Sequence, residues 1–190
     1  IELIEFALGL RVSKNQVQNK DPFLFSIKNQ LEISLSKTRK NILLIPGASH
    51  KSKCYPVAKL AELSTLIDAN FLVVWGNSDE KLLADRVKKL SPSVNICNKL
   101  SINELILLTS EVDLVIGPDT GPTHISWALN IPSITLFGPT PGYRNSCATI
   151  QNHIIQSQSI VNPYKIDKND YSIKDIEVSE IIKIAKELLN

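Results

Sequence analysis

The sequence predicts an α/β fold: a parallel sheet with helices on both faces. Three observations carry this. From Asn41 onward, short apolar runs alternate with longer segments at helical spacing. The short runs are apolar throughout, as strands covered on both faces must be. Gly, Pro, Asn and Ser punctuate the joins between them.

The elements follow in order. Ile1–Leu10 reads as the end of a helix stopped near Gly9. Arg11–Lys20 is polar and reads as linker. Asp21–Leu35 is ambiguous between loop and a short strand around Phe23–Ile27. The basic run Lys37–Lys40 reads as a solvated loop, because so few charges hold anionic lipid only weakly. Ile42–Ile45 is a strand ending at Pro46-Gly47. Pro56–Ile67 is a helix, with Pro56 suited to its first turn and Val57, Leu60, Ala61, Ser64 and Ile67 along one face. Phe71–Trp75 is a strand, and Ser78–Leu90 a helix with Leu83, Val87 and Leu90 aligned. Val94–Cys97 is a short strand. Ser101 opens a helix, with Glu104 placed for a capping box. Asp113–Ile116 is a strand, Pro122–Leu129 a short helix stopped by Pro132, and Ser133–Phe137 a strand. Thr149–Gln156 alternates like a last strand, and Gln158–Ser172 reads as a long surface connection. Glu177–Leu189 is an amphipathic helix, with Val178, Ile181, Ile182, Ala185, Leu188 and Leu189 at helical spacing. Trp75 and Trp127 fall on these patterns and are expected in the core.

At 190 residues, 43% hydrophobic and 21% charged, the chain has enough material for one domain with a proper core. A net charge of +2 gives no electrostatic case for nucleic acid. The longest apolar runs are far too short to span a bilayer, and no segment has the build of a signal peptide. Cys54, Cys97 and Cys147 are widely spaced and form no CxxC pair, so neither a disulfide framework nor a zinc site is indicated. A reducing cytoplasm fits this usage. The chain opens Ile-Glu-Leu and contains no Met, so it reads as a fragment.

The strongest chemical signal is the turn Asp119-Thr-Gly-Pro-Thr-His124, between a buried strand and a short helix. In open α/β sheets ligands bind at the carboxyl ends of the strands. N–H groups at a helix start favour an anion there, a phosphate above all. Gly121 lets backbone approach a ligand. Thr120 or Thr123 can cap the helix, Asp119 can accept sugar hydroxyls, and His124 can donate to phosphate. The plainer alternative is a capped helix with His124 filling a polar pocket. The segment Ser49-His-Lys-Ser-Lys53-Cys-Tyr-Pro56 follows the first core strand and brings a lysine to the same edge. Spacing alone leaves open which of His50, Lys51 and Lys53 turns inward. Gly76-Asn-Ser-Asp-Glu80 follows the next strand. Glu80 there is either a ribose acceptor or half of a capping box with Asn77. Phe137-Gly-Pro-Thr-Pro-Gly-Tyr-Arg-Asn145 should form a stiff loop beside the site, with Arg144 reaching either the ligand or a surface carboxylate. No GxGxxG or GxxxxGK[ST] pattern is present, so a nicotinamide, flavin or P-loop reading has little support.

Four ordered pieces resemble the ADP-heptose-using lipopolysaccharide heptosyltransferases, which are GT-B glycosyltransferases. They are Lys53-Cys-Tyr-Pro56, similar to a Lys-x-Trp-Pro pattern; Trp75-Gly76 with Glu80; Asp119-Thr-Gly-x-x-His124; and Phe137-Gly-Pro-Thr140. The details look more like heptosyltransferase I than II. The resemblance implies the C-terminal, Rossmann-like donor domain of a two-domain enzyme. Residues 1–40 would then be interdomain remnant and linker, and 41–190 the nucleotide-sugar domain. It implies Ser49 and Lys53 at the diphosphate and Glu80 at the adenosine ribose. Leu100 would line the adenine, Thr120, Gly121 and His124 would sit at the phosphates, and Asp119 at the heptose. The family's catalytic base is a carboxylate in the N-terminal domain, so no catalytic residue is expected in this chain. Transfer would be inverting, from ADP-heptose to a Kdo-lipid A acceptor, with no cofactor and no tightly held metal; no Asp-x-Asp motif is present. The protein would work in the cytoplasm, peripherally at the inner membrane. Two rivals remain open. A sugar-nucleotide epimerase on the same fold would need Asp119 and His124 as acid and base, and a non-catalytic nucleotide-sugar-binding module would need neither.

Overall fold

The computed structural model describes residues 2–27, 33 and 35–190. Its strands are β1 (Asn41–Leu44), β2 (Asn70–Val73), β3 (Asn95–Ile96), β4 (Leu114–Pro118), β5 (Ser133–Phe137) and β6 (Asn152–Gln156). Its helices are α1 (Glu2–Leu8), α2 (Lys14–Gln18), α3 (Val57–Leu66), α4 (Ser78–Leu90), α5 (Ile102–Glu111), α6 (Gly121–Leu129), the single turn α7 (Gly142–Asn145) and α8 (Val178–Leu189). The strands form one parallel sheet in the order β3-β2-β1-β4-β5-β6, as the alternation of strand and helix predicts.

The unbroken apolar runs have their cause in two cores. Along β1, Ile42 and Leu44 face one cluster while Leu43 and Ile45 face the other, the period-two alternation of a strand. The first cluster joins Phe71, Val73, Leu114 and Ile116 to Leu60 and Leu63 of α3, Ala84 and Val87 of α4, and Ile181 and Ala185 of α8. The second joins Leu43, Leu72 and Val115 to Leu105 and Leu108 of α5. Burying each such aliphatic side chain contributes roughly 1.5–3 kcal/mol. A polar residue on either face of β1 would therefore be costly, which is why the strand reads as continuous rather than alternating.

Four details differ from the sequence reading. Arg11–Lys20 is not all linker: α2 lies within it, and Ser13 and Gln16 form a reciprocal capping box. The Ser-x-x-Gln spacing encodes that box, but no apolar stripe follows it. No strand forms around Phe23–Ile27. The Phe23 N–H donates instead to Ala128 O at 3.1 Å, and the Phe23 ring meets Trp127 edge-on with centroids 5.6 Å apart. Residues 28–32 and 34 of that ambiguous stretch, like Ile1, lie outside the described residues. Trp127 is not in the sheet's core; it is half-buried under Phe23 and Lys20. Trp75 does pack on the first cluster and donates to Cys97 O at 2.8 Å. Finally, β6 starts at Asn152 rather than Thr149, because the Thr149 hydroxyl accepts from the N–H groups of Gln151 and Asn152 and closes a turn. The helix stop at Gly9 is present, with φ at +62°.

Beyond β1 the chain enters the face carrying α3 and α4, and beyond β4 it enters the face carrying α6. The strand order reverses between these two neighbours. That is the switch point at which open α/β sheets present a crevice.

Candidate functional site

Asp119 directly follows β4, and its carboxylate gathers the polar groups around it. Lys53 Nζ lies 3.0 Å from Oδ2, and Asn145 Nδ2 donates to the same oxygen at 3.0 Å. His124 Nε2 lies 2.9 Å from Oδ1. The Lys53 and Asp119 side chains are only 12% and 8% exposed, so solvent screens this pair little. Burial pushes the Asp119 carboxyl up. The bond from His124, the charge and bond of Lys53, and a polar contact from Thr140 that is looser than a hydrogen bond outweigh it. Together they hold the carboxyl well below the usual carboxylate range. Asp119 is thus a fixed anion and a poor proton acceptor.

Lys53 is the basic residue of its loop that turns inward. It ends a short 3₁₀ turn, Lys51–Lys53, while Lys51 is exposed and His50 half-buried. Tyr55, buried just beyond, fixes the loop to the body of the protein. Ser49 is exposed on the same loop and stands outside the Asp119 cluster.

Helix α6 starts at the rim without a side-chain cap. Thr120 is the N-cap residue, extended at φ −150°, and its side chain makes no cap bond. Thr123 does not cap either; its hydroxyl is buried without a partner. The expected cap is therefore absent. Pro122 has no N–H, and the first-turn N–H groups of Gly121 and Thr123 have no acceptor within the helix. Those N–H groups and the helix dipole favour an anion in front of Gly121. A Cβ on Gly121 would meet nothing within 4 Å, so the approach is open.

Glu80 lies across the end of β1. A Cβ on Gly47 would come within 2.3 Å of Glu80 Cγ, so only glycine leaves room for this side chain. Glu80 Oε2 accepts from the Gly76 N–H at 2.7 Å, and the Asn77 side chain accepts from the Glu80 N–H at 3.0 Å. Asn77 does cap α4, but the return bond goes to Gly76 rather than to Asn77 itself. Leu100 is half-buried against the second core cluster.

Sequence reasoning placed the 137–145 loop beside the site but missed Asn145, which α7 presents to Asp119. It singled out Arg144 instead, whose Nε reaches only Asn145 Oδ1 at 3.2 Å. Asn145 is one residue away from Arg144, and only the α7 turn decides which points inward. Ser52 was missed as well. Three buried hydroxyls without a protein partner among the described residues, Ser52, Thr123 and Thr140, belong to the three segments that build this rim. Among the described residues no group of three or more His, Cys, Asp or Glu could hold a metal ion, and no helix is long and apolar enough to cross a membrane.

Residues 2–171 match the model of glycosyltransferase family 9 (heptosyltransferase). The chain is 41% identical over 181 residues to a Campylobacter coli protein named lipopolysaccharide heptosyltransferase 1, covering 87% of this chain and 53% of that one. It thus spans about half the length of that relative. Among solved structures, E. coli heptosyltransferase WaaC with ADP superposes with a TM-score of 0.69 at 17% identity, covering 98% of this chain and 54% of WaaC. E. coli ADP-heptose lps heptosyltransferase II gives 0.68 at 20%, covering 95% and 53%. At that identity the structural likeness establishes the fold, and the sequence matches establish the lineage: the chain belongs to glycosyltransferase family 9, the heptosyltransferase family.

Proposed function

We propose that this chain is the donor-binding half of an inverting heptosyltransferase, which holds ADP-heptose while heptose passes to the Kdo-lipid A inner core of lipopolysaccharide. The observation that carries this reading is the shielded Lys53–Asp119–His124 cluster at the sheet's switch point, beside the uncapped start of α6. The lysine ammonium has three N–H donors and gives one to Asp119. The others remain for a diphosphate in front of Gly121. Glu80, at the end of the neighbouring strand, is placed for the ribose hydroxyls, and Ser49 and Leu100 flank the diphosphate and adenine. Asp119 offers its remaining lone pairs to the heptose. The WaaC structure named for its ADP, and the relatives named as heptosyltransferases, support this assignment.

In the reaction an acceptor hydroxyl attacks the anomeric carbon, the bond from that carbon to the diphosphate oxygen breaks, and ADP leaves. The proton goes to a carboxylate in the N-terminal half of the enzyme. Charge grows on the diphosphate, and Lys53 with the α6 N–H groups stabilises it. Asp119, held deprotonated by its neighbours, is a weak proton acceptor and is not that base. The same property weighs against an epimerase built on Asp119 and His124. The enzyme would work in the cytoplasm, at the inner membrane where its lipid acceptor lies.

Calorimetry with ADP, UDP and GDP tests the assignment. ADP is expected to bind best, with Lys53→Ala and Glu80→Ala each lowering its affinity about tenfold, the effect of losing one charge-assisted hydrogen bond. Equal affinity for all three nucleotides would overturn the adenine-nucleotide reading. Transfer of heptose by the two halves together, and by neither alone, separates the enzyme from a pure binding module.

A further inference from the structure

The 3₁₀ turn Ser172–Asp175, between β6 and α8, packs against two of the segments that carry Asp119's partners, the Lys51–Lys53 turn and the loop that opens at Gly138. Ile173 is fully buried. A Cβ on Gly138 would come within 2.7 Å of Ile173 Cβ and 3.0 Å of its backbone nitrogen, so the two backbones are in close contact. Gly138 opens the loop that carries Thr140 and leads into α7 with Asn145. On the other side, the Lys51–Lys53 turn lies alongside Ser172–Asp175. The Tyr55 hydroxyl donates to Ile176 O at 2.8 Å, and Lys59 Nζ donates to Lys174 O and Ile176 O, both at 2.8 Å. The turn is fastened from behind as well: the Ser157 and Ser172 hydroxyls are 2.8 Å apart, and Asp170 accepts from the Ser172 N–H at 2.8 Å.

We infer that this turn is a buttress setting Lys53 against Asp119, and that Tyr55 is the positioning residue through which it acts. A lysine on a four-carbon stem keeps a 3.0 Å contact only if its backbone is held still. The backbone at Lys53 is a single 3₁₀ turn, which is not self-supporting. Two residues on, Tyr55 is an anchor with its ring buried and its hydroxyl tied to Ile176. Burial pushes the Tyr55 phenol up, so it stays a donor. One turn thus holds the loop of Lys53 and the loop of Thr140 and Asn145 in place, so that both present their side chains to Asp119.

Tyr55→Phe removes only the hydroxyl. Trace acetylation of the chain with acetic anhydride, read by mass spectrometry at each lysine, reports how well Lys53 is held. Lys53 labelling is expected to rise about fivefold, the equilibrium effect of one net hydrogen bond, while exposed Lys89 stays unchanged. In an Asp119→Asn background, where Lys53 has already lost its counter-ion, adding Tyr55→Phe should raise labelling no further. A general structural loss would instead raise it equally in both backgrounds. That result, or unchanged Lys53 labelling in Tyr55→Phe alone, overturns the inference. Should Tyr55→Phe fail to fold, Lys59→Met removes the parallel bonds to the turn and is read the same way. The labelling needs no nucleotide. If the wild-type chain shows no preference for ADP, the proposed function fails while the buttress is still judged on its own result.

Discussion

The two ends of the parallel sheet are built on opposite plans. Where the strands begin, amide side chains satisfy one another, and the Asp113 carboxylate accepts from the Asn41 N–H at 2.8 Å and pairs with Lys40. Asn95 donates to Asn70 Oδ1 and Asn70 donates to Asn41 Oδ1, both at 2.9 Å, running across β3, β2 and β1. On the other side, Asn152 donates to Ser133 Oγ at 3.0 Å and to Ile131 O at 2.9 Å. Where the strands end, the side chains are Lys53, Asp119, His124 and Glu80, and the hydroxyls of Ser52 and Thr123 have no hydrogen-bond partner among the described residues. Burying polar groups is costly unless they are bonded. The starting rim meets that condition within itself and the ending rim does not, which is the difference the proposed donor site rests on.

The largest expected effect tests whether the ending rim's charges also hold the fold. Asp119→Asn leaves Lys53 shielded without its counter-charge. It is expected to cost about 3 kcal/mol in urea unfolding, in the range for breaking a buried pair from one side. The same variant should change the pH response. Because the folded-state pKa of Asp119 is depressed, its stabilisation is fully present above the unfolded value of about 3.9 and is lost as pH falls toward the folded value. The wild-type acid limb should therefore fall more steeply below pH ~4 than the Asp119→Asn limb. Parallel limbs would mean that the carboxylate's partners contribute nothing to stability.

Next in size is the starting rim. Asn70→Ala interrupts the amide row in the middle, leaving Asn41 and Asn95 each short of one partner. The cost should be about 1–2 kcal/mol in urea unfolding. ADP affinity should not change, because the row lies at the far end of the strands. A loss of affinity as large as that of Lys53→Ala would end the division of labour between the rims.

These two rims also differ in how far the sequence reveals them. The strands and the long helices were legible because both cores impose a periodicity: Leu43 and Leu44 point to opposite clusters, and the run between turns shows it. Asp119 and His124 were legible because they share one turn at a strand end. Lys53 could not be chosen over Lys51 and His50, since a 3₁₀ turn anchored by Tyr55 decides it, and that anchor lies at Ile176. Asn145 was hidden for the same reason, its orientation being set by a single helical turn that carries no periodic signal. The amide row was invisible because each Asn reads alone as the boundary residue of a strand, and only strand pairing, with Asn41 opposite Asn70 and Asn95 opposite Leu72, brings their side chains together. The ambiguous stretch near Phe23 forms no strand: Phe23 meets Trp127, while Phe25 and Ile27 are exposed and have no sheet to join.

The smallest stability effect is expected where a substitution disturbs the ligand rim alone. Gly47→Ala puts a methyl group where Glu80 Cγ now lies, 2.3 Å away. The colliding atoms belong to a flexible, half-buried side chain rather than to backbone, so Glu80 can swing aside. The fold should lose less than about 1 kcal/mol, the usual range for changes that spare the core. The ribose, on the present reading, loses its carboxylate, and ADP affinity should fall about tenfold. Inorganic pyrophosphate makes no ribose contact and should bind the variant as it binds the wild type, since Lys53 and the start of α6 are untouched. Titrating both ligands into both proteins thus separates the two halves of the ending rim. An equal loss for ADP and pyrophosphate would show that Gly47 shapes the diphosphate cradle itself, and Glu80 would then have to be moved from the ribose to the phosphates.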